Sequence, residues 1–162
     1  MKIKIGRLGA AVREKRECED LTGEALKRCV FKHLKEEYEG FKKSTEGEID
    51  ELEKKLKEQY PDFSYEYSTY GTAGDLWLIW YIGGKRHKTG GSIESTYDWG
   101  MDQIDEIAPQ TSWQEADDLL EAFVDENSDL VGRTETLDTI RNLLDFVEDI
   151  PSDEMKDFKS EY

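Results

Sequence analysis

Apolar residues recur at three- and four-residue steps near both ends of the chain and at two-residue steps in its middle. That change of period predicts helices, then a sheet, then helices again. Residues 7–18 form the first predicted helix, entered after a short strand or arm at Lys2–Ile5. A second starts at Thr22, a good N-cap flanked by Leu21 and Leu26 at the positions of a hydrophobic staple. Leu26, Cys29, Val30, His33, Leu34 and Phe41 give it one apolar face, and Gly40 marks its end. Thr45 and Glu48 read as a capping box for a third helix, which carries Ile49, Leu52 and Leu56 and stops at Gln59, before Pro61. The second and third helices are expected to fold back on each other as an antiparallel hairpin through Lys42–Glu46.

The middle reads as an antiparallel sheet of three or four strands. Phe63, Tyr65 and Tyr67 alternate with Ser64, Glu66 and Ser68, a strand with one buried face. After a turn at Gly71–Gly74, residues 76–82 are apolar on both faces, which predicts a central strand covered on both sides. Gly83-Gly84 and Gly90-Gly91 bracket a predicted loop, and Ser92–Tyr97 supplies a further strand. Beyond it, Met101, Ile104 and Ile107 predict a short helix ended by Pro109. Ser112 and Glu115 open a helix bearing Trp113, Ala116, Leu119, Leu120, Phe123 and Val124 on its apolar face. A loop at Asn127–Arg133 then leads to a long helix marked by Leu137, Ile140, Leu143, Leu144 and Val147 and stopped by Pro151. The resulting class is α+β: a small sheet flanked by an N-terminal helical hairpin on one side and C-terminal helices on the other.

At 162 residues the chain suits one domain, 1–162, with a helical module at 1–60, a sheet at 61–100 and helices at 101–162. Its 18 aromatic residues argue against disorder. The longest apolar run, Leu76–Ile82, falls far short of the roughly 20 residues that span a bilayer, and the N-terminus has no leader-like apolar stretch. A cytoplasmic location follows as the expectation, host cytoplasm if the protein is viral. The two cysteines, Cys18 and Cys29, are too few for a disulfide scaffold, although one bridge is geometrically open to them.

Charge changes the picture most. The net charge is −16, and its distribution is uneven. Residues 1–60 hold 15 Lys/Arg against 14 Asp/Glu, residues 61–100 hold 3 against 5, and residues 101–162 hold 4 against 19. Proteome-wide salt adaptation would act along the whole chain and suppress lysine, so the 15 lysines and the balanced first third speak against it. The excess falls on the polar faces of two predicted helices, Asp117, Asp118, Glu121 and Asp125 on one and Asp138, Asp145, Glu148 and Asp149 on the next. Like charges at i,i+4, as in Asp117–Glu121, Glu121–Asp125 and Asp145–Asp149, destabilise a helix by about 0.2–0.5 kcal/mol each. Helix neighbours about 5–6 Å apart match the order of phosphate spacing along a nucleic-acid strand. The plain reading of such runs is a solvated face that keeps the protein soluble.

The remaining candidates are weaker. Lys85, Arg86 and Lys88 form a glycine-flanked basic cluster able to hold an anion, without the spacing of a Walker loop. Cys18, Cys29 and His33 lack a fourth zinc ligand and read as core residues. Asp125–Asp129 begins like a calcium loop but has Leu130 at the sixth position and Thr136 at the twelfth, where glycine and glutamate belong. No metal and no cofactor is expected. The two histidines form no triad, and the carboxylate pairs sit on wet helix faces, so catalysis has no motif.

In size and acidity the chain resembles nucleic-acid-mimicking inhibitors of the anti-restriction, anti-CRISPR and nuclease-immunity kinds. That resemblance of charge and size implies a non-enzymatic protein whose acidic helices dock a basic, nucleic-acid-binding partner protein. One alternative is a structural or assembly component, of viral type, held by the N-terminal helices and oligomerising through Leu52 and Leu56. A further alternative is direct nucleic-acid binding through Lys2, Lys4, Arg7, Arg13 and the 85–88 cluster, which the net charge opposes.

Overall fold

The computed structural model describes residues 16–70 and 74–155. Among them are α1 (Gly23–Gln59), β1 (Ser64–Tyr70), β2 (Asp75–Ile82), β3 (Lys85–Ser92), α2 (Tyr97–Ile107), α3 (Trp113–Glu126), α4 (Ser128–Glu148) and α5 (Ser152–Met155). The strands form one antiparallel sheet in the order β1-β2-β3, so the class is α+β with a small sheet. The arm at Lys2–Ile5, residues 7–15 of the first predicted helix and residues 71–73 of the predicted turn lie outside the described residues.

The predicted hairpin of helices is instead the single helix α1, unbroken through Gly40 and Thr45. A glycine inside a helix costs about 1 kcal/mol relative to alanine, and burial outweighs it here. Tyr38, Thr45, Ile49, Leu52 and Leu56 are all buried along one continued stripe, with Phe41 half-buried between them. Thr45 is 1% exposed and serves as a stripe residue, not a cap. The stop comes as predicted, at Gln59 ahead of Pro61.

Contacts gather the described residues into two compact units, one within residues 1–39 and 95–131 and one within residues 40–94 and 132–162. In the first unit, Leu26, Val30, Leu34 and Tyr38 of α1 share a core with Ile104 and Ile107 of α2 and Leu120 and Phe123 of α3. Tyr38 is fully buried. Its ring stacks on Phe123 at 5.6 Å and meets Trp99 edge-on at 4.8 Å, while its hydroxyl bonds Thr96 Oγ1 at 2.9 Å. A buried tyrosine needs such a partner for its polar end. Cys18 and Cys29 are joined by a disulfide, with Cα atoms 5.8 Å apart. The segment so tied is also held by hydrogen bonds from Cys18 N to Ile107 O and from Gln110 Nε2 to Cys18 O, each 3.0 Å.

In the second unit, β2 departs from expectation. Only Leu76, Leu78, Trp80 and Ile82 are buried, while Trp77, Ile79 and Tyr81 on the other face are half-buried. The buried face packs in one cluster with Ile49, Leu52 and Leu56 of α1 and with Leu137, Ile140, Leu144 and Val147 of α4. Both helices therefore cover the same side of the sheet, and the predicted two-sided cover is corrected to one. The sequence misled because the outer positions carry amphipathic rings and an isoleucine that a half-wet sheet face tolerates.

The third strand is also displaced from its predicted place. Residues 85–92, not 92–97, pair with β2, from Ile82↔Lys85 to Asp75↔Ser92. Gly83 and Gly84 have φ of +61° and +77°. A two-residue hairpin turn matching the strand twist needs φ > 0 at both positions, and glycine takes it without strain. Gly90 faces the Trp77 ring, and a Cβ there would come within 2.3 Å of it. The glycines that read as loop ends are a turn and a site of close packing inside a hairpin. Between α3 and α4 the predicted loop Asn127–Arg133 shrinks to Asn127, since α4 already begins at Ser128.

Candidate interaction surface

Ser112 opens α3 by accepting a hydrogen bond from the Glu115 amide at 3.1 Å, so the predicted cap is in place. With Ala116, Leu120 and Phe123 turned into the first unit's core, the 3.6-residue period leaves Asp118, Glu121 and Asp125 exposed and Asp117 half-buried. One carboxylate oxygen from each of Asp117, Asp118 and Glu121 lies within 4.8 Å of the others. Two are held by neutral donors, Asp117 by the Tyr97 hydroxyl and Asp118 by Gln114 Nε2 at 3.0 Å. The hydrogen bond to Asp117, with some burial and the surrounding carboxylates, pushes the Tyr97 hydroxyl up to about 12, so it remains a donor. Of the six carboxylates on α3, only Glu126 meets a cation among the described residues, Lys27 Nζ at 4.0 Å.

The surrounding sequence sharpens this. Residues 95–131 contain 11 Asp/Glu and no Lys, Arg or His. Neither α2, α3 nor α4 has a basic residue in its last turn. Asp125 and Glu126 crowd the C-terminus of α3, where the helix dipole favours cations by about 0.3–1 kcal/mol per charge. The arrangement is electrostatically unfavourable to its own helix.

The other four predicted partner-binding residues belong to the second unit, on or just past α4. Asp145 and Asp149 are exposed, and Glu148 is half-buried. These three also bring carboxylate oxygens within 4.8 Å of one another. Asp138 differs, because it pairs with Arg141, whose other nitrogen reaches Glu48 at 2.6 Å. Burial alone would lower the Arg141 guanidinium pKa, but the hydrogen bond to Glu48 and the Asp138 charge outweigh it and raise the pKa. Asp138 is thus engaged inside its own unit. The eight residues form two groups of four, one per unit, and α3 carries the group least compensated by cations.

Lys85, Arg86 and Lys88 are on β3, a strand and not a loop, so they do not share one glycine-rich cradle. Period two sends Lys85 to the same side as His87, and Arg86 to the side of Lys88. Lys88 Nζ lies 4.6 Å from the Trp77 ring centroid, a cation–π contact. The zinc reading fails because both cysteines are in the disulfide. His33, expected in the core, is half-buried and reaches polar partners, Glu17 Oε1 at 2.7 Å from Nδ1 and Gln103 Oε1 at 3.2 Å from Nε2. The calcium reading fails because Asp125 and Asp129 sit in two helices separated only by Asn127. Leu52 and Leu56, on which the oligomerisation reading depended, are buried in the second unit's own core.

Trp113 was expected on the apolar face of α3 and is instead 67% exposed. Its position directly after the cap leaves the direction of the side chain open, so the spacing carries no signal of this exposure. Trp113, Asp117 and Glu121 follow at four-residue steps, so an exposed aromatic ring continues the acidic row. Comparison with protein-family models, with curated proteins and with solved structures gives no match to this chain.

Proposed function

We propose that the protein is a non-enzymatic binder that docks the outer face of α3 onto a basic surface of a partner protein, such as a nucleic-acid-binding one, in the manner of a nucleic-acid-mimicking inhibitor of the anti-defence or immunity type. One observation carries the reading. A stretch of 37 residues, 95–131, holds 11 carboxylates and no basic side chain, and α3 exposes its share at helix-neighbour spacing. A field of one sign steers an oppositely charged partner and speeds association, with a steep dependence on salt. The exposed Trp113 at the head of the row supports the reading, since tryptophan is a favoured anchor at protein interfaces.

The test is to replace Asp117, Asp118, Glu121 and Asp125 together by Asn or Gln. Affinity purification from the native host would then be run with both proteins at two ionic strengths. The expected result is capture of a basic protein by the natural chain at low salt, lost at high salt and lost in the variant. Equal capture by both proteins rejects this face. The fold should survive, because the change relieves like-charge pairs worth about 0.2–0.5 kcal/mol each. No described helix is long and apolar enough to cross a membrane. The proposed site of action is the cytoplasm, host cytoplasm if the protein is viral.

A further inference from the structure

We propose that opening the Cys18–Cys29 bridge creates a site in the first unit for a single thiophilic divalent cation, such as Zn(II), held by Cys18, Cys29, His33 and Glu17. With the bridge closed the sulfurs are bonded to each other and are not metal ligands. A structural zinc site takes four ligands in a tetrahedron. Spacing along the chain supplies three of them, the two cysteines and His33, which lies one helical turn after Cys29. The fold supplies the fourth. The Glu17 carboxylate reaches α1 and places Oε1 2.7 Å from His33 Nδ1. The carbonyl oxygen of the same residue lies 3.6 Å from Cys29 Sγ. Glu17 thus touches both ligands on α1, and Cys18 follows it in the chain.

The surroundings brace these ligands. The hydrogen bonds from Cys18 N to Ile107 O and from Gln110 Nε2 to Cys18 O use the main chain, so they hold the segment when the sulfurs part. The Cα atoms are 5.8 Å apart, near enough for two thiolates to meet one ion at Zn–S distances of about 2.3 Å. His33 Nε2 lies 3.2 Å from Gln103 Oε1 on α2 and can donate its hydrogen there. A metal-bound histidine is typically oriented through its second ring nitrogen in this way, with the first left for the metal. The His33 side chain is 14% exposed and that of Glu17 45%, so an ion enters past the carboxylate. A dithiol opens the bridge by giving up two hydrogens with their electrons. It becomes a disulfide while Cys18 and Cys29 become thiols. Zn(II) then displaces both thiol protons and the proton between His33 Nδ1 and Glu17 Oε1, with no further change of oxidation state. In reducing surroundings the thiol form prevails, and the metal takes over the tie between α1 and the segment before it. This site is independent of the α3 surface.

The test is a Co(II) titration of the whole protein with and without the phosphine reductant TCEP. The reduced protein should show thiolate-to-cobalt absorption that saturates at a single equivalent and is abolished by Zn(II). The oxidised protein should show none, which separates this site from carboxylate clusters, since these give no thiolate band. Glu17→Gln and His33→Gln, with helicity checked by circular dichroism, should each weaken Co(II) at least about tenfold. That is the smaller loss typical even of a group that only orients a ligand. A second readout needs no variant. The thermal midpoint of the reduced protein should be higher in Zn(II) than in EDTA, because an ion that binds only the folded state stabilises it. Three results would overturn the proposal. The first is no thiolate band up to about 0.1 mM Co(II), well above the micromolar range of ordinary binding. The second is unchanged affinity in either Glu17→Gln or His33→Gln. The third is a midpoint in reductant that is the same in Zn(II) and EDTA.

Discussion

His87 lies against Trp80 inside the second unit, and this burial, helped by the nearby Lys85 charge, lowers the imidazole pKa below its ordinary 6.5. The unfolded chain therefore binds a proton at a higher pH than the folded one does. Between the two pKa values the unfolded state holds more protons, so stability rises with pH there. The His87 contribution is complete above the ordinary value and is lost as pH falls through that value toward the lowered one. Urea unfolding at about pH 5 and about pH 7.5 should show a larger loss of stability at acid pH for the natural protein than for His87→Gln. Equal losses would mean the ring titrates alike in both states. Nothing in the local sequence reveals this environment. His87 stands between Arg86 and Lys88 in what reads as an exposed basic loop, and only the pairing Trp80↔His87 turns it inward.

At the scale of the element, α1 shows tertiary packing overruling local punctuation. Gly40, and Thr45 with Glu48, read as a stop and a new start, yet the helix passes through both. Gly40 and Gly47 are exposed, and a Cβ at either would meet nothing within 4 Å. Gly40→Ala and Gly47→Ala should each stabilise the protein by about 0.5–1 kcal/mol, the helix-interior difference between the two residues. A higher denaturation midpoint with an unchanged m-value would register it. A loop at residues 40–47 would instead give no gain. The acidic helices make the complementary point, because the cap at Ser112, the start at Trp113 and the apolar stripe of α3 were legible from spacing alone. There the local signals and the packing agree. The orientation of Trp113 was not legible, since a tryptophan next to a cap can face either way until a core claims it or leaves it.

For the molecule as a whole, the Cys18–Cys29 bridge ties the segment before α1 to α1 itself and closes a short loop. Closing a loop of this size stabilises a protein by about 2–3 kcal/mol through the unfolded chain. A thiol reductant should therefore lower the thermal midpoint by several degrees, about 2–4 °C per kcal/mol at this chain length. An unchanged midpoint would show that hydrogen bonds such as Gln110 to Cys18 O already hold the segment. The sequence by itself determined the α+β class, the end of α1, most of β1 and β2, the cap of α3 and the concentration of carboxylates after residue 100. Those features follow from the period of apolar residues, from turn and cap chemistry and from simple charge counting, all of which act over a few residues. Only the tertiary structure decided that α1 is one helix, that β3 spans residues 85–92 and that both helices cover one face of the sheet. It also divided the eight acidic residues between two units and set Glu17 against His33. Those outcomes depend on which distant surfaces exclude water together, and burial of that kind is set by contacts between residues far apart in the chain.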